Sequence, residues 1–420
     1  MPFLTDLDRR AEVKGSRDPL GLMAIWSHFG RKVVGNLTTV TSTVRGFTTL
    51  LLGLHLAEKV RDTARGERPS TLEVFLKFEQ LAGYARVHCN GDNAVRGWRR
   101  IRARLDGSKA IRISTRSDHQ ILSNQKVYGL WGLFMTAARN SDLLLPGQPR
   151  LTDEAQQFVE RRHRAVAGKA VVDLLRRDDF VFEPKGRHAE LARSLADAHG
   201  SPMTPDEQPF YREHLVWGGP ADPTAGRQKL LAELVEQHRT EDFTYREFRA
   251  VRNSAARRRD GTALVEELDR IDALEQLVNP ARVAFGFVLT QNGRMLGDVA
   301  KQISDTWTDV PRLSPLLPEI RATIALASWN DSASRWMRIG ECLTSRDHLA
   351  LIEMLIEANT DVMQKRNGSA PWVTIEAGRL RVREADEAHA LIPWNEVENL
   401  WRSTYFINSL WSVAREVSPS

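Results

Sequence analysis

Within 420 residues, the stretch Trp372–Arg383, WVTIEAGRLRVR, is the one that alternates as a β-hairpin should. Val373, Ile375, Leu380 and Val382 interleave with polar residues, and Ala377-Gly378 stands between the arms where a two-residue turn belongs. Elsewhere apolar residues recur at helical spacing. The expected fold is therefore mainly α, a multi-helix bundle-like architecture with one small β-hairpin near the C-terminus. The N-terminal half shows no clear strand.

Helical signals place the elements. Asp18-Pro19 opens a helix with Leu22, Ile25, Trp26 and Phe29 on one face. The apolar run Phe47–Ala57 has eleven residues, too few to span a bilayer, and reads as a buried helix at the centre of the N-terminal core. Ser70 with Glu73, and Thr244 with Glu247, have the spacing of capping boxes. A helix over 119–138 would carry Ile121, Leu122, Tyr128, Trp131 and Phe134 as a core stripe. Later helices are expected at 263–276, 280–290, 294–306, 317–330, 346–365 and 394–416. Composition and turn signals divide the chain into a flexible 1–18, an N-terminal helical domain 19–150, a middle helical domain 151–261 and a C-terminal helical domain 262–420 holding the hairpin 372–383.

The chain has 48 Arg against 11 Lys, which codon bias in a high-GC genome explains most simply. Its net charge of +5 permits contact with a polyanion without requiring it. Cys89 and Cys342 are the only cysteines, too few for a disulfide framework or a structural zinc site. The N-terminus lacks the basic start and apolar core of a signal peptide, and the expected compartment is cytoplasmic, with no membrane contact.

Catalytic motifs are sparse. The sequence has no phosphate-binding G-x-x-x-x-G-K-[ST] and no dinucleotide-binding G-x-G-x-x-G following a strand. No H-E-x-x-H or C-x-x-C suggests a metal, so neither metal nor cofactor is expected. Asp173 with Glu183-Pro184-Lys185 has the letters of a metal-dependent nuclease. Its context is wrong, because Asp173 lies in a helical pattern and Pro184 would interrupt the strand such a site needs. A helix-loop-helix with exposed charges is the plainer reading. Asp173, Glu183 and Lys185 remain the catalytic alternative.

The basic clusters carry more information. Arg96, Arg99, Arg100 and Arg104 fall at i, i+3, i+4 and i+8 beside Trp98, which would line four guanidiniums along one helical face. Guanidiniums fork onto phosphate oxygens, so this face is the candidate contact for nucleic acid, double-stranded DNA first. A solvated, salt-bridged face is the bland alternative. Arg379, Arg381 and Arg383 on one hairpin arm are a secondary anion or partner contact. Trp394, Trp401 and Trp411, expected on or beside one helix, would be either core or a partner interface.

The strings DPLGLMAIWSHFGRKVVGNLTT, RGFTTLLLGLHLAE, ILSNQKVYGLWGLFMTAAR and RNGSAPWVTIEAGRLRV resemble a group of bacterial proteins encoded in antiphage defence or restriction-like gene clusters. The resemblance implies an accessory component acting beside other protein subunits, and it transfers no site residue. The expectation is thus a non-catalytic accessory or DNA-contacting subunit, with a nuclease-like enzyme or a purely structural interaction subunit as alternatives.

Overall fold

The computed structural model describes residues 18–63, 69–200, 203–238, 242–308, 318, 321–322, 330–366 and 368–418. The expected flexible start (1–18) and the helix at 317–330 lie almost entirely outside these residues. The chain forms two units, each discontinuous in sequence. One takes Met1–Gly30 and Thr240–Tyr405, the other Arg31–Arg239 and Phe406–Ser420. The division read from sequence is consecutive instead.

The fold is mainly α. Its first helix, α1 (Met23–Val33), buries Ile25 and Phe29 as their spacing requires. In the second unit, α2 (Arg45–Thr63) is buried from Arg45 through Ala57, in keeping with its almost continuous apolar run. Helix α3 (Thr71–Asn90) begins at the Ser70–Glu73 capping box, with both reciprocal bonds present, and packs on α2. Helix α4 (Trp98–Gly107) buries Ile101 and Leu105. There follow α5 (Gln125–Tyr128), α6 (Leu130–Asn140), α7 (Asp153–Arg162), α8 (Lys169–Leu175), α9 (Ala189–Asp197), α10 (Glu207–Tyr211, continued by a π-helical turn Arg212–Val216) and α11 (Arg227–Gln237).

Two expectations fail in this unit. Strands β1 (Ile111–Ser114) and β2 (Asp179–Phe182) pair antiparallel, Ile111 opposite Phe182, so the hairpin is not the sole sheet. Four residues are too few to display a period, and no turn joins partners so far apart in sequence. The helix expected over 119–138 is broken instead. Asn124 caps α5 by accepting from the Val127 amide at 3.2 Å, and Gly129 separates α5 from α6. The helix Ile407–Val417 completes the unit, and its Glu416 accepts from the Val44 amide at 2.8 Å and the Thr43 hydroxyl at 3.0 Å, capping the start of α2.

In the first unit, α12 (Tyr245–Ala256) starts at the Thr244–Glu247 capping box. Helix α13 (Thr262–Val288) runs through Pro280, where two helices were expected. Pro280 supplies no amide, but nearly every side chain from Ala273 to Val288 is buried, and that packing carries the helix past it. After α14 (Leu296–Thr306) come the helices Asn330–Ser345 and His348–Lys365, then β3 (Val373–Glu376) and β4 (Arg379–Val382). Their register sets Val373 opposite Val382, and the Ala377-Gly378 turn has φ of 49° and 74°, both left-handed as a type I′ turn demands. Val373 and Leu380 are buried, whereas Ile375 is exposed. The outer edge of β4 bonds residues 293–296, with Gly293 N–H donating to Leu380 O at 2.8 Å and Leu296 N–H to Gly378 O at 2.9 Å. The hairpin therefore anchors the entry to α14. The helix expected over 394–416 exists only as the turn Trp394–Val397 and the helix Ile407–Val417, because Tyr405 and Phe406 take left-handed φ of 46° and 62°.

Candidate nucleic-acid interface

Residues 96–118 hold eight Lys or Arg and two Asp, a surplus of six positive charges, while the whole chain has a surplus of five. The rest of the sequence therefore nearly neutralises itself. Arg99, Arg100, Arg102, Lys109, Arg112 and Arg116 of this segment are exposed. Its ion pairs, Arg102–Asp106 at 4.0 Å, Arg112–Asp179 at 3.5 Å and Arg116–Asp118 at 3.3 Å, are solvent-exposed and hold their partners weakly.

The four arginines read as one helical stripe do different jobs. Arg96 precedes α4 rather than lying on it, and its Nε donates to Tyr128 O at 2.7 Å. Arg100 donates to Gln120 O at 3.3 Å. Arg104 donates to His119 O and Asp118 O, both at 2.6 Å, and to the Tyr84 hydroxyl at 3.0 Å. Between them Gly97, at a left-handed φ of 79°, lets α4 approach so closely that a Cβ there would stand 2.4 Å from Ile121 O. Three guanidiniums, Arg96 just before α4 and Arg100 and Arg104 on it, thus fasten segment 118–128, which ends in α5, through its backbone carbonyls. Arg104 is consumed by this role. Arg100 spends one of its five N–H donors, and among the described residues Arg99 makes only a cation–π contact, 5.6 Å from the Trp98 ring. On α4 itself the exposed cations available to phosphate are Arg99, Arg100 and the unanticipated Arg102.

The same fastening presents Tyr128. A continuous helix would have put this residue in the core stripe; the break at Gly129 leaves it 52% exposed beside Val127 at 49%, with Lys126 exposed as well. Its ring stacks on no other among the described residues. The Asn124 cap and the break at Gly129 were the available signals. Beneath this turn Gln125 is buried and donates to Leu76 O at 2.9 Å and to Glu79 at 2.7 Å, and Glu79 also accepts from the Leu130 amide at 2.7 Å. Burial pushes the Glu79 carboxyl up to about 7, only partly offset by these bonds and by Arg96.

A cleft of about 820 Å³ in the same unit is lined by Arg45, Arg86, Asp92, His199 and Glu416. Its charges are internally matched. Arg45 donates to Glu207 at 2.7 Å and Arg86 to Asp92 at 2.7 Å. His199, held well below its usual pKa by burial, donates Nδ1–H to Leu195 O at 2.7 Å, and its Nε2 lies 3.0 Å from the Thr49 hydroxyl, which also bonds Arg45 O at 2.9 Å. Arg86 also donates to that hydroxyl at 3.2 Å. Both guanidiniums already face carboxylates, so an incoming anion gains less here than on the surface around α4.

The remaining candidates are dispersed. Asp173 pairs with Arg176 at 3.3 Å and Glu183 with Arg187 at 3.4 Å, with Lys185 exposed in the turn between β2 and α9. Among the described residues no three His, Cys, Asp or Glu side chains are grouped to hold a metal ion, and no helix is long and apolar enough to cross a membrane. Arg379 donates to Gly293 O at 3.0 Å and Arg381 to Glu376 at 3.1 Å, so two of the three hairpin arginines brace local structure; Arg383 is exposed just beyond the strand. Trp394 and Trp411 are each 9% exposed, leaving a partner little to cover. Trp394 packs edge-on against Trp307 at 5.4 Å, Trp401 stacks on Phe248 at 4.7 Å, and Trp411 lies under Arg415 at 4.5 Å. No protein-family model, no curated protein and no solved structure matches the chain.

Proposed function

We propose that this protein is a non-catalytic, nucleic-acid-contacting subunit whose binding surface is the segment around α4. The observation that carries this reading is the local charge: a stretch of 23 residues, 96–118, has more net positive charge than the entire chain, and most of it faces solvent. Guanidiniums on a helix already fastened to its neighbour meet phosphates at small entropic cost. DNA as the first ligand, and a place beside other protein subunits of an antiphage defence assembly, rest on the resemblance to defence-cluster proteins; the contact itself rests on charge.

Binding of labelled DNA at increasing salt tests it. Each phosphate contact adds roughly 0.7 to 0.9 to the slope of log affinity against log salt, so Arg99→Ala with Arg100→Ala is expected to lower that slope by about 1.5. Undetectable binding at low salt, or an unchanged slope in the double variant, would overturn the proposal.

A further inference from the structure

We infer that the surface around α4 takes nucleic acid with unpaired bases, stacking a base on Tyr128, in preference to a closed duplex. The inference rests on the proposed phosphate contact and names the form of nucleic acid that the same surface accepts. Half of Tyr128 faces water, and among the described residues its ring pairs with no other ring and its hydroxyl makes no hydrogen bond. It is not a loose loop residue. The Asn124 cap, the buried Gln125 and the Arg96 bond to its own carbonyl hold the one-turn helix that displays it. A ring so fixed loses little freedom when a base covers it.

The cations lie on the same fastened piece. Arg96, whose side chain bonds Tyr128, is three residues from Arg99 and four from Arg100, so phosphate and base contacts can fall on neighbouring nucleotides of one strand. Lys126 and Val127, exposed on the same turn, add a further cation and an apolar side chain. An aromatic platform beside a basic track is the arrangement that binds single strands, since every base has a face to stack. A duplex hides those faces inside its own stack and could use only the phosphate contacts. Helix α4 is also poorly suited to reading a major groove, because Arg100 and Arg104 are turned toward segment 118–128.

The test compares a fluorescent oligothymidylate, an oligouridylate and a duplex of the same length at one salt concentration, using the full chain. Either single strand should bind more tightly than the duplex, and the ratio of the two distinguishes DNA from RNA as the source. Tyr128→Ala should weaken single-strand binding about tenfold and leave duplex binding unchanged, whereas Tyr128→Phe should bind like the parent. Equal affinity for single strand and duplex, or a Tyr128→Ala variant that binds single strands like the parent, overturns this inference while the phosphate contact stands. Arg99→Ala with Arg100→Ala binding all three probes like the parent, or no binding of any probe, removes the phosphate contact and the inference with it.

Discussion

Glu79 shows how one buried carboxyl can tie a display surface to pH. Its two oxygens receive the Leu130 amide and the Gln125 side chain, so it joins α3 to both flanks of the turn holding Tyr128. With its pKa raised from 4.5 to about 7, the folded chain keeps a proton that the unfolded chain releases in that interval. Folding then takes up a proton, and the contribution of Glu79 to stability falls as pH rises through the interval, by on the order of 3 kcal/mol at the upper end. Glu79→Gln cannot ionise. Its melting temperature relative to the parent should therefore climb between about pH 5 and about pH 8. His163, lowered to about 4 by burial, titrates with the opposite sign over much of the same range, so the comparison is made between variant and parent at each pH. A difference that stays constant with pH would show that Glu79 does not hold the extra proton. Residue roles of this kind were only partly legible in the sequence. The arginine cluster was visible, but its division of labour was not, because the acceptors of Arg96 and Arg104 are backbone carbonyls 32 and 14 to 15 residues away.

At the scale of elements, legibility followed local chemistry. The capping boxes at Ser70 and Thr244 and the hairpin with its Ala377-Gly378 turn are encoded within a few residues, and all three formed where expected. Strands β1 and β2 depend on partners far apart in the chain and left no local trace. The break that exposes Tyr128 was hidden by apolar spacing, which looked continuous across Gly129. Gly378 permits a measurement at this scale. Its φ of 74° is one that a β-branched residue adopts at a cost of about 1 to 2 kcal/mol, so Gly378→Val should lower the urea midpoint accordingly. The same substitution should raise hydrogen exchange at Gly293, Leu380 and Leu296, whose amides bond across this corner. Unchanged exchange there would contradict the anchoring role assigned to the hairpin.

At the scale of the molecule, the second unit is left by the chain near Arg239 and rejoined at Phe406. A consecutive reading of the sequence could not foresee this, since Ile407–Val417 looked like the end of a longer helix beginning at Trp394. Its buried Ile407, Leu410, Trp411, Val413 and Val417, together with the Glu416 cap on α2, make it part of that unit's core. Removing everything after Tyr405 exposes apolar surface worth roughly 5 kcal/mol or more, comparable to the stability of a whole domain. The truncated chain should lose amide protection through α2 and α3 while α13 keeps it. Retained protection in α2 and α3 would show that the unit closes without its last helix.

That helix also imposes a timetable. During synthesis the residues of α2 to α11 emerge early, yet the piece that seals them is made only after the 166 residues from Thr240 to Tyr405. Nascent chains therefore pass through a period in which the apolar bed of Ile407–Val417 is uncovered while another unit is being built. A chain arranged this way depends on chaperone cover for longer than one whose domains finish in order, and its yield in a cell should respond to chaperone supply before its finished stability does.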